Sequence, residues 1–265
     1  MNAPDRAFHL PDVQSSPDVR ALAIDRVGVK GIRHPITVKR ADGSVLSSIA
    51  MIDMYVGLPA EVKGTHMSRF LEILAANHEP LDAPSLGAMM TKMLARLEAT
   101  AGYVQIRFPY FVMKRAPVSG IESLMDYEVT YRAEVKNGVR DSSLEVVVPV
   151  TSLCPCSKEI SEYGAHNQRS HATIAATSDH AIAPETLIAI AEGAASCEVY
   201  GILKRPDEKY VTERAYDNPK FVEDLVRDVA TDLKSDPRVL AFRVESENFE
   251  SIHNHSAYAR IARRM

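Results

Sequence analysis

The sequence predicts an α+β chain built from two tandem modules, each of the order strands, two helices, strands. Three observations carry that reading. Apolar side chains alternate in short runs at the start and end of each half. Three- and four-residue apolar spacing marks the helices between them. The order of elements repeats, although no repeat of the sequence itself is visible.

The elements follow in order. Residues 1–23 read as a flexible arm, polar and rich in proline. From Ile24 the pattern becomes strand-like, with Val27, Val29, Ile32, Ile36 and Val38, and Asp42-Gly43 supplies a turn. A second strand runs from about Ser47 to Val56. Met67, Phe70, Leu71 and Leu74 then keep helical spacing, as do Leu86, Met89, Met90, Met93, Leu94 and Leu97. Glu79-Pro80 breaks the two helices apart. The methionines of the second helix are expected in the core. Strands return at Tyr103–Met113 and Tyr127–Val135.

In the second half, a strand over Leu144–Val150 is rich in branched apolar residues. Another lies near His171–Ala176. A helix is expected from Pro184 to about Tyr200, and one more from Asn218 as N-cap with Pro219 in its first turn, presenting Phe221, Leu225, Val226, Val229 and Leu233. Strands at Val239–Glu245 and Ala257–Ile261 close the chain. The modules are placed at 24–122 and 123–265.

Composition narrows the function. Apolar residues make up 46% of the 265, enough for a packed core, and the net charge of −4 offers no field for nucleic acid or an anionic membrane. No apolar run reaches the ~20 residues a bilayer requires, and the first residues lack the apolar centre of a signal peptide. Three cysteines, two nearly adjacent, make a poor disulfide framework, so a cytoplasmic location is expected.

Chemistry concentrates in Val150-Thr151-Ser152-Leu153-Cys154-Pro155-Cys156-Ser157-Lys158-Glu159 and the following Tyr163-Gly164-Ala165-His166-Asn167-Gln168-Arg169-Ser170. Pro155 ends a core strand by removing a backbone donor, which leaves Cys154 rigidly held at the rim of the sheet. A lone Cys-x-Cys is a weak metal signal, but the polar run Ser157-Lys158-Glu159 is a poor lining for an inert thiol. Spacing alone does not choose further donors among nine histidines and 35 acidic residues.

These two segments, together with Gly64-Thr65-His66-Met67-Ser68-Arg69-Phe70 and Asn218-Pro219-Lys220-Phe221-Val222-Glu223-Asp224, resemble the type IB GTP cyclohydrolase I family from about Val27 to Ala259. The resemblance implies a bimodular tunnelling fold whose antiparallel sheets form a barrel on oligomerisation, a homotetramer, GTP as substrate, and 7,8-dihydroneopterin triphosphate and formate as products. It also implies one divalent metal (Zn, Mn or Fe(II)) held by Cys154, His166, Glu208 and His253. Of these, Cys154, His166 and His253 count as catalytic, and Glu223 anchors the purine. Cys156 is expected to be supporting or structural, and Cys197 a core residue. Four protein ligands exceed the usual three of a catalytic site, and Glu208, read as part of a mobile loop, is the one expected to leave. The alternatives are an archaeal-type cyclohydrolase that makes a cyclic phosphate, a related nitrile reductase, and a metal- or nucleotide-binding protein without catalysis.

Overall fold

A computed structural model describes residues 12–178 and 180–264. Nine strands form a single antiparallel sheet, and six helices complete the described residues. The chain opens with β1 (Ile24–Lys39) and β2 (Val45–Leu58), then α1 (Met67–Ala75), α2 (Ala83–Arg96), β3 (Gly102–Arg115) and β4 (Glu122–Lys136). The second half holds β5 (Val139–Leu153), α3 (Pro155–Ile160), β6 (Asn167–Ser178), α4 (Pro184–Ala194), β7 (Cys197–Glu198), α5 (Arg205–Asp217), α6 (Val222–Ser235), β8 (Val239–Asn248) and β9 (Ala257–Arg263). The order across the sheet is β1-β2-β3-β4-β5-β6-β8-β9, with the short β7 paired to β5. The expected division at 122/123 falls at the first residues of β4, where Arg115 pairs with Glu122 across the β3–β4 hairpin.

Period-two patterning explains why one face of this sheet is dry. The register aligns Ile52, Ile106, Tyr131, Leu144, Ala176 and Phe242 across six strands, and every one is buried. Helices cover that face with Leu86, Met89, Met90 and Met93 from α2, Leu187, Ile188 and Ala191 from α4, and Leu225, Val226, Val229 and Leu233 from α6. The methionines lie in the core, as their spacing predicts. Each fully buried Leu or Met contributes roughly 1.5–3 kcal/mol. The opposite face is polar. There Arg132 of β4 forks onto Glu145 of β5 at 2.8 and 2.9 Å, and Arg243 of β8 reaches the same carboxylate at 2.5 Å.

β4 turns into β5 through Asn137-Gly138, both with positive φ (53° and 76°), the conformation that a two-residue hairpin of this hand requires. The two edges of the sheet are β1 and β9. No helix among the described residues is long and apolar enough to cross a membrane.

Four local expectations need correction. The helix expected over 184–200 ends at Ala194, because Ser196 and Cys197 are drawn back onto β5: the Ser196 N–H donates to the Thr151 carbonyl at 3.1 Å and Cys197 pairs with Thr151. α5 was not anticipated, since its sequence RPDEKYVTERAYD carries no apolar stripe. Asn218 ends α5 instead of starting α6, and its side-chain amide donates to the Ala195 carbonyl at 2.8 Å. α6 begins at Val222, where the Asp224 carboxylate accepts from the Phe221 N–H at 3.0 Å. The described part of the arm, residues 12–23, is not loose throughout. Asp18 donates to Glu61, while Lys63 and Gly64 donate to Ser16 and Gln14, all between backbone groups. Residues 1–11 lie outside the described residues.

Candidate active site

Pro155 does stop β5, and it also starts something. A proline in the first helical turn loses nothing there, because that N–H has no helical partner. Cys154 is therefore the N-cap of α3. The Ser157 N–H points at its sulfur at 3.5 Å, and the Ser157 hydroxyl donates to the Cys154 carbonyl at 3.2 Å. That hydroxyl also accepts from the His166 N–H at 3.2 Å, and the Cys154 N–H donates to the His166 carbonyl at 3.1 Å. The last ladder pair, Leu153 with Asn167, lies directly behind them. Cys154 and His166 thus face each other where two core strands end, both half-buried.

The imidazole of His166 is oriented by its neighbours. Nδ1 lies 2.8 Å from Oε1 of Gln168, which is buried, and 3.9 Å from Oε2 of Glu250. With Nδ1 engaged as a donor, Nε2 keeps the free lone pair. A histidine that ligates a metal is held in this way. The donor types suit a borderline ion, so the pair fits half of a metal site.

The other half is not assembled. Among the described residues no three His, Cys, Asp or Glu side chains converge as a cation site. Glu208 is exposed and sits in the first turn of α5, not in a loop, which removes the mobility on which its expected departure rested. It shares one helical face with Val211 and Ala215, which pack on Leu153 and Cys197 beside Cys154. His253 lies in the β8–β9 connection, exposed and stacked on His255 with ring centroids 5.1 Å apart. That connection reaches the site through the Phe249 N–H, which donates to the Arg169 carbonyl at 3.0 Å, and through Glu250.

Glu223 is exposed in the first turn of α6. The approach to that helix is tied to the site, because the Lys220 N–H donates to the Leu153 carbonyl at 3.0 Å. Cys156 is exposed. Cys197 is a core residue as expected. Burial and then the adjacent Glu198 push its thiol up to about 11. The Lys158 ammonium, in the polar run that follows Cys156, donates to the Tyr216 carbonyl at 2.5 Å. Sequence reasoning missed Gln168 and Glu250. Gln168 had a signal: it shares the inward parity of Ser170 and Ala172, where a buried amide needs a partner. Glu250 had none.

The fold defines the class first. The urate oxidase of Bacillus sp. TB-90, as a hyperthermostable mutant, superposes with a TM-score of 0.55 at 11% identity over 91% of this chain and 100% of the other. Uricase from Arthrobacter globiformis gives 0.51 at 8% identity over 89% and 92%. This is a tunnelling fold.

Sequence then selects the family. The description type I GTP cyclohydrolase folE2 matches residues 10–259. GTP cyclohydrolase FolE2 of Herminiimonas arsenicoxydans is 63% identical over 254 residues, 96% of this chain and 97% of that relative. Its counterpart in Azoarcus sp. (strain BH72) is 60% identical over 264 residues, 99% and 98%. The chain belongs to the type I GTP cyclohydrolase FolE2 family.

Proposed function

We propose that this protein is a GTP cyclohydrolase I that opens the guanine ring of GTP hydrolytically at C8. Two waters add at C8 and that carbon leaves as formate. The ribose, still bonded to one nitrogen through C1′, then condenses through C2′ with the freed nitrogen and returns one water, giving 7,8-dihydroneopterin triphosphate, the first step of tetrahydrofolate synthesis. Family membership over nearly the whole chain supports the reaction. The structural observation that supports a site for it is the Cys154–His166 pair at the ends of β5 and β6.

A divalent metal (Zn, Mn or Fe(II)) held by Cys154, His166, Glu208 and His253 would supply an activated water near neutral pH. The residues do the rest. His166 presents Nε2 because Gln168 occupies Nδ1, and Glu250 keeps the ring from turning. With Nδ1 on Gln168 and Nε2 kept for the metal, His166 would have no nitrogen left for proton transfer at the ribose, which falls to His255, stacked on the proposed ligand His253. The Glu223 carboxylate accepts from the ring N–H and the exocyclic amine of guanine, a two-point contact with the purine edge.

The chain works as a homo-oligomer, most simply a tetramer, in the cytoplasm. β1 and β9 are edges with unpaired backbone groups, and joining them between copies closes a barrel and removes the edges. The test is direct. Purified chain with Mn(II) and GTP releases formate, and the product has the mass of the open-chain triphosphate. A cyclic phosphate product favours the archaeal-type reaction, and no formate with any of the three metals overturns the proposal.

A further inference from the structure

α5 is a charged helix with only Asp207 and Ala215 buried. So little apolar surface cannot hold a helix in place by itself, and polar anchors decide where it lies. Its last turns rest on Leu153 and Cys197 through Ala215 and Val211. Its first turn, which carries Glu208, is held by Asp207. That side chain is fully buried. Oδ1 accepts from the Val118 and Ser119 N–H groups, each at 2.8 Å. Oδ2 accepts from the Ser119 hydroxyl at 2.6 Å and the Lys204 N–H at 2.8 Å.

Val118 and Ser119 are the tip of the β3–β4 hairpin, from the other half of the chain. The segment leading into α5 lies flat against the same hairpin. A Cβ on Gly201 would stand 2.7 Å from the Leu124 carbonyl oxygen, and the Ile202 N–H donates to the Ser123 hydroxyl at 3.1 Å.

We propose that Asp207 is a positioning residue: by clamping the first turn of α5 to the β3–β4 hairpin, it fixes where Glu208 stands relative to Cys154 and His166. The inference rests on the proposed ligand role of Glu208. Asp207 ligates nothing itself, because four donors already fill its two oxygens. Metal sites tolerate little looseness in their ligands, and the groups that brace ligands contribute on the order of 10–100-fold to metal affinity.

The experiment compares the full-length chain with Asp207→Asn, Ser119→Ala and Glu208→Gln, by Mn(II) titration calorimetry on metal-free protein and by thermal midpoint without metal. Asp207→Asn, which puts an amide NH2 among four donors, weakens Mn(II) binding on the order of tenfold or more. Ser119→Ala, which removes one donor, weakens it less, and excess Mn(II) restores turnover in both. Lowered midpoints with unchanged Mn(II) affinity in both variants overturn the inference, since that is what a purely structural clamp does. If Asp207→Asn does not fold, Ser119→Ala decides alone. Weakened binding in Glu208→Gln but in neither clamp variant removes the positioning role and leaves the ligand role intact. Unchanged binding in Glu208→Gln removes both.

Discussion

The Cys154 N–H donates to the His166 carbonyl at 3.1 Å, so the two candidate ligands are joined through the backbone. The scaffold of this half-site is main-chain and does not use the Cys154 side chain. Cys154→Ala is expected to lose metal by at least a hundredfold in affinity, roughly the upper end of what supporting residues contribute, with a fold that survives. Metal content per chain after dialysis, read beside the circular dichroism spectrum, checks it. Equal metal content in the variant and the parent chain refutes the assignment.

Gln168→Leu keeps the size of a buried side chain but frees Nδ1 of His166. Metal affinity should fall about 10–100-fold while the thermal midpoint of the metal-free chain changes little. An unchanged affinity would mean that Glu250 alone orients the ring.

Glu223→Gln should leave metal content intact and weaken GTP. An amide cannot accept at both positions, and a hydrogen bond to a charged group contributes about 1.5–3 kcal/mol, which is roughly 10–100-fold. Single-turnover kinetics with varied GTP measure it. Loss of metal with normal GTP affinity would move Glu223 to the metal's surroundings.

The Glu145 carboxyl tests the polar face of the sheet. Burial on its own would raise it, but the Arg132 and Arg243 guanidiniums outweigh burial and hold it below the usual carboxylate range. A depressed carboxyl contributes stability that is present above its unfolded value and is lost as pH falls through the folded one. Glu145→Gln should therefore cost roughly 2 kcal/mol at pH 7 and progressively less below pH ~4. Urea unfolding at the two pH values reads the difference, and a constant cost would contradict the ion-pair account.

Thiol accessibility separates the three cysteines. Cys156 is exposed, Cys154 half-buried and Cys197 buried, with its thiol pushed up to about 11. At pH 8 an alkylating reagent should label Cys156 first, and bound metal should protect Cys154. Cys197 should remain unlabelled until the chain unfolds. Mass mapping of the labelled peptides gives the order, and early modification of Cys197 would contradict its burial.

The sequence by itself determined the long strands, the apolar faces of the core helices and the family, but not the short β7 or the end of α4 and start of α6. Alternation and helical spacing are local consequences of burying one face, so Val104 to Tyr110 or Leu225 to Leu233 declare themselves without knowledge of their partners. The Cys154 segment was legible for the same reason, because a proline ends a strand wherever it lies; His166 as its partner was implied only by the family resemblance. Only the tertiary structure decided the rest. α5 has no apolar stripe, and its position comes from the four donors that converge on Asp207, three of them on residues nearly ninety positions away. The start of α6 was misplaced because Asn218, a good cap by type, spends its amide on the Ala195 carbonyl, a partner visible only once the chain has folded. Glu250 reaches His166 because β8 pairs with β6, and no local pattern encodes that pairing.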